Sequence, residues 1–164
     1  QYLTELDTLL REHRVSAFKL ADLMKTGIAL KIIQLGESAD DKLQHQAVET
    51  LTNITKFDDW LTNNLISEFG GVRVLSELLH RMHGNLHESE DENAQQIRTQ
   101  DKLQLLETII ECIGNLSRTD ECRPELHRYR VYPRIMDNVL SYHHKAQSVV
   151  AWALPIILDN QGPQ

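Results

Sequence analysis

The sequence predicts an all-α protein, built as a short right-handed solenoid of repeated three-helix units. Three observations carry this expectation. Aromatic residues make up only 5% of the 164 residues, and Gly and Pro number 7 and 4. Leu, Glu, Gln, Lys and Ala abound, a mixture that favours helices over sandwiches and barrels. Apolar residues recur at helical rather than alternating spacing along most of the chain. The helical stretches also repeat in one order, short, medium and long, which marks stacked units that bury apolar surface only against their neighbours.

Taken in order, Leu3, Leu6, Leu9 and Leu10 share one face, so residues 1–14 read as the last helix of a preceding unit. A start at Gln1 rather than Met reads as that of an excised fragment. The first complete unit spans 15–57. Phe18, Leu20, Ala21 and Leu23 form its short helix, and Gly27 suits a helix boundary before Ile28, Leu30, Ile32, Ile33 and Leu35. Its long helix follows in "DDKLQHQAVETLTNITKF", where Asp40 and Asp41 open the helix as its dipole prefers. The second unit, 58–118, repeats the order with "DDWLTNNLISEFGG", "VRVLSELLHRMH" and "DKLQLLETIIECIGNLSR". The third, 119–158, runs "ECRPELHRY", "VYPRIMDNVLSY" and "KAQSVVAWALPIILD", with Pro133 opening its middle helix. The long helices are expected to end near 57, 118 and 158. The last two ends lie one repeat apart (158 − 118 = 40) and the first two about 20 residues further. That excess falls in "GNLHESEDENAQQIRT" (84–99), which lacks helical periodicity and clusters Glu88, Glu90, Asp91 and Glu92, and it reads as an exposed acidic loop. "DNQGPQ" (159–164) reads as an unstructured end. Ile156, Ile157 and Leu158 offer apolar surface to a further repeat or a second chain.

The formal charge of −7 disfavours nucleic acid as a partner, because phosphate binding needs a basic footprint. It suits a basic peptide or protein. Two cysteines, Cys112 and Cys122, are too few for a disulfide framework and read as reduced thiols of an intracellular chain, cytoplasmic or nuclear. No apolar run approaches the roughly 18–20 residues of a membrane span.

Two stretches carry the functional signal. "ETLTNIT" (49–55) places Asn53 between Leu51 and Ile54, where packing gives no reason for an amide. "ECIGNLS" (111–117) repeats it with Asn115, 62 residues on (115 − 53). Glu49 and Glu111 each stand one helical turn before their asparagine, on the same face. A carboxamide offers donors and an acceptor, so a row of them can bracket the N–H and C=O groups of an extended backbone. The glutamates can pair with Lys or Arg of such a segment. The competing reading is local. A late-helix asparagine often bonds nearby backbone carbonyls or starts a cap, and Glu with Asn four residues on is an ordinary solvated stripe.

These residues resemble an armadillo-repeat protein, and within that superfamily importin-α, the nuclear import adaptor. "GGVRVLSELL" (70–79) matches the armadillo boundary pattern, with "RVYPRIMDNV" (130–139) a looser copy. The resemblance covers nearly the whole chain. It implies that the third helix of each repeat lines a concave groove presenting Trp-x-x-x-Asn. The asparagine there ties down a peptide backbone, and the tryptophan walls slots for lysine side chains. This chain keeps half of each pair. Asn53 and Asn115 fill the asparagine place while Glu49 and Glu111 hold the tryptophan place. In the third unit Trp152 fills the tryptophan place and Ile156 the asparagine place. Trp152 reads either as a stacking wall or as core.

Other constellations add little. His80 and His83 share a helix face, but His87 lies beyond Gly84 and no fourth ligand is specified, so no metal is expected. No nucleophile elbow or phosphate-cradling glycine loop occurs, so neither catalysis nor a cofactor is expected. "SEDE" (89–92) is an acidic phosphoacceptor context around Ser89. The sequons at Asn53 and Asn115 fall inside predicted helices and are discounted. The expected function is a non-enzymatic scaffold or adaptor that binds an extended basic segment on its concave face. The alternative is an assembly module that packs on a folded partner, or on itself through the solenoid ends. A regulator of a small GTPase or chaperone has no dedicated residue.

Overall fold

The computed structural model describes residues 2–11, 22, 24–57, 60–84, 92–141, 151 and 155. Its elements are α1 (Tyr2–Arg11), a π-helical turn (Met24–Ile28), α2 (Ala29–Gly36), α3 (Asp41–Thr55), α4 (Trp60–Glu68) and α5 (Gly71–Gly84). There follow α6 (Glu92–Ser117), a 3₁₀ turn (Asp120–Cys122), α7 (Arg123–Arg128) and α8 (Val131–Ser141). No strand occurs among the described residues, whose elements are all helical.

Local chemistry sets the boundaries. Gly27, at φ +90°, supplies the left-handed residue that bends the π turn into α2. Asp40 stays extended at φ −82°, ψ 110° and caps α3, its carboxylate accepting from the N–H of Lys42 and of Leu43 at 3.0 and 3.1 Å. Between α4 and α5, Gly70 takes φ +86°, and a Cβ on Gly71 would lie 2.6 Å from Cγ2 of Ile66. The helices turn so closely there that only glycine fits. Pro124 sits in the first turn of α7, where its missing N–H costs nothing.

Packing joins helices well separated in sequence. α3 lies against α1 and α6, α5 lies against α2 and α8, and α4 touches both the π turn and the 3₁₀ turn. Helices far apart in sequence thus pack in recurring pairs, an order compatible with an α-solenoid. The core runs continuously through these contacts. Ile32 and Ile33 of α2, Leu51 and Ile54 of α3, Leu75 and Leu79 of α5, and Ile109 and Ile113 of α6 are all buried in it.

One expectation needs correcting. The acidic loop was expected to reach residue 99, yet α6 begins at Glu92, well before Asp101. Apolar periodicity is absent from 92–99, but Glu92, Ala94, Gln95, Gln96 and Arg98 are strong helix formers, and an acidic residue suits a helix N-terminus. Propensity carries the helix back from its packed part. Trp152, the short helix around Phe18, the paired Asp58–Asp59, Ser89 with its acidic neighbours, His87, Ile156–Leu158 and the 159–164 end lie outside the described residues.

Candidate functional site

The seam between α3 and α6 brings the two sequence motifs side by side. It is made as much by hydroxyls and amides as by apolar contact. Thr52 Oγ1 lies 2.8 Å from the carbonyl of Val48 and 3.2 Å from that of Thr108 across the seam, sharing one hydrogen between them. One turn later Thr55 donates to the Thr52 carbonyl at 2.8 Å. Its oxygen accepts a 3.1 Å bond from Nδ2 of Asn115. Lys56, next in sequence, reaches α6 as well, with Nζ 3.0 Å from Oε1 of Glu111. Gln46, at the other edge of α3, donates to Thr4 Oγ1 of α1 at 2.8 Å.

The predicted residues therefore fall into different environments. Asn115 is only 7% exposed and its amide is committed to Thr55, so the seam itself accounts for one of the two asparagines. Glu111 is partly exposed and pairs with Lys56. Glu49 and Asn53 are half-buried on α3, at helical positions matching those of Glu111 and Asn115 on α6. The structure thus juxtaposes the helices that carry Glu49, Asn53, Glu111 and Asn115. It does not describe Trp152.

Sequence reasoning missed two further asparagines. Asn138 of α8 is fully buried, and its Nδ2 donates to the Leu79 carbonyl of α5 at 2.7 Å and to the Arg134 carbonyl at 2.8 Å. Asn63 of α4 is fully buried and donates to Thr119 Oγ1 at 2.9 Å. Asn63, Asn115 and Asn138 are thus buried amides that each join segments 56 to 60 residues apart in sequence. The α5–α8 seam adds Ser76, which donates to the Tyr129 carbonyl at 2.6 Å, and Arg134, whose Nη1 donates to the Ser76 carbonyl at 3.0 Å. A polar residue on an otherwise apolar helix face was the available signal.

Burial also sets the thiols. Cys112 faces Thr55 within the α3–α6 seam, and desolvation pushes its thiol up to about 12. The same cause pushes Cys122 up to about 11. Both are free. His80 and His83 are exposed on α5, and among the described residues no three His, Cys, Asp or Glu side chains converge as metal ligands. No helix among the described residues is long and apolar enough to cross a membrane.

Fold and seam together define an all-α protein whose packed helices are joined by buried amides. Comparisons with protein-family models, curated proteins and solved structures find no match to this chain.

Proposed function

We propose that the chain is a non-enzymatic protein-binding scaffold or adaptor of armadillo type, which takes an extended, basic segment of a partner along the face shared by α3 and α6. The observation that carries this reading is the matched placement of Glu49–Asn53 and Glu111–Asn115 on two helices packed side by side. Two carboxylates one unit apart on adjacent helices give a basic segment successive charge-assisted contacts. The net charge of −7 draws such a segment in. Asn115 takes a stitching role, so Asn53, Glu49 and Glu111 carry the recognition. Importin-α-like cargo capture, with residence in cytoplasm and nucleus, is the sharper form of the proposal.

The test is titration of lysine- and arginine-rich peptides into wild type, Asn53→Ala and Glu49→Gln/Glu111→Gln at two salt concentrations. Salt-sensitive binding weakened in the folded variants supports the reading. Binding indifferent to all three residues, or none, sinks it.

A second reading, an assembly module, is favoured by one observation. Leu140 near the end of α8 is 60% exposed, and Leu30 of α2 is 40% exposed. A concentration-dependent mass in sedimentation that Leu140→Ser abolishes would support it.

A further inference from the structure

The two side chains of the second motif, Glu111 and Asn115, are held by two consecutive residues at the end of the preceding long helix. Thr55 takes the amide of Asn115 at 3.1 Å and Lys56 takes the carboxylate of Glu111 at 3.0 Å. Glu111 and Asn115 stand one turn apart on α6, so the ion pair lies directly alongside the amide contact. A carboxylate proposed to receive an ammonium or guanidinium from a partner already has an ammonium seated on it, from the chain itself.

We propose that Lys56 is an internal competitor, occupying Glu111 in the free protein and yielding it to a basic side chain of the bound segment. The inference rests on the basic-segment reading above and names the residue that tunes it. The exchange is physically easy. Side-chain exposure of 50% for Lys56 and 38% for Glu111 leaves the pair open to water and salt, and such pairs are weak. Arginine has the advantage in displacing Lys56, because its planar fork binds a carboxylate through two parallel N–H groups where lysine offers a point charge. Lys56 then swings into solvent on its flexible stem, and no backbone need move. The device filters partners: a lone lysine exchanges like for like and gains little, whereas an arginine gains a second hydrogen bond.

Calorimetric titration of an arginine-rich peptide into five proteins tests this: wild type, Lys56→Met, Lys42→Met, Glu111→Gln and Lys56→Met/Glu111→Gln. Lys42 is exposed on the first turn of α3 and serves as the charge-matched control. Lys56→Met is expected to tighten binding by about two- to fivefold, the scale of an exposed ion pair. Lys42→Met should give a smaller change, and the gain from Lys56→Met should vanish when Glu111 is already Gln. Equal gains from Lys56→Met and Lys42→Met would overturn the inference, since the overall field would then be the cause. So would a gain that persists without Glu111. Binding by every variant with no effect of Lys56→Met removes this inference and leaves the basic-segment reading standing. No binding by any protein removes both. Lys56→Gln replaces Lys56→Met if the latter alters the far-ultraviolet spectrum.

Discussion

Asn115 and Asn138 reach back across nearly the same span of sequence, 60 and 59 residues, but they address different acceptors. Asn138 donates to two main-chain carbonyls from a fully buried position. Asn115 donates to a side-chain hydroxyl that is itself tied to the Thr52 carbonyl. The first seam is thus anchored to backbone that every residue type provides. The second joins side chain to side chain, Asn115 to Thr55, with Thr55 in turn donating to the Thr52 carbonyl, beside a half-exposed ion pair. The comparison teaches that one residue type at similar spacing serves a fixed joint in one seam and an adjustable one in another.

The sharpest way to break this contrast is Asn138→Ala. It removes the amide's hydrogen bonds to the Leu79 and Arg134 carbonyls and opens a small void, so a loss of about 2–3 kcal/mol in urea unfolding is expected. Asn115→Ala should cost less, about 1–2 kcal/mol, because the partner hydroxyl keeps its bond to the Thr52 carbonyl. Equal losses would mean that the nature of the acceptor is irrelevant. A cycle with Thr55→Val sharpens the point further. The two changes remove one hydrogen bond between them, so the double variant should fall short of the sum by about 0.5–1 kcal/mol, whereas additivity would deny the relay.

Alkaline titration addresses the same seam. The folded thiol of Cys112 ionises near 12 against 9.0 for the ordinary group, so the unfolded chain loses its proton first and stability falls as pH rises above 9. At pH 10 the loss should be about 1 kcal/mol for this thiol, and Cys112→Ala should remove that component of the slope. The α5–α8 seam contains no thiol, so unchanged pH dependence in Cys112→Ala would show that the α3–α6 seam is wetter than its geometry implies. The smallest effect belongs to Asn53→Ala, about 0.5–1 kcal/mol, because Asn53 is half-buried where Asn115 is buried. A loss matching that of Asn115→Ala would make Asn53 a third seam residue instead of a ligand group.

Much of the helical layout was legible because its causes are local. Asp40 at the start of α3, Gly27 as boundary and Pro133 in the first turn of α8 act through neighbouring atoms, and apolar spacing marks α3, α5 and α8. The start of α6 was misread because residues 92–99 are held by propensity rather than periodicity, and an acidic, apolar-poor stretch looks like loop under a periodicity test. The seams were harder to see. Asn115 is marked by its repeat of the Asn53 pattern, but its partner Thr55 lies 60 residues away and leaves no mark beside it. Asn138 and Asn63 escaped for the same reason. Which amide is spent on packing is settled only when α3 meets α6, so the sequence left both readings open.

The relay at Thr55 also constrains how such a chain is able to vary. Leu79 contributes a carbonyl to Asn138, so another helix-forming residue at position 79 leaves that bond intact. Thr55 contributes its side chain, and losing it orphans Asn115. Among relatives, positions 55 and 115 should therefore be inherited as a couple, each change answered by the other, while position 79 drifts on packing alone.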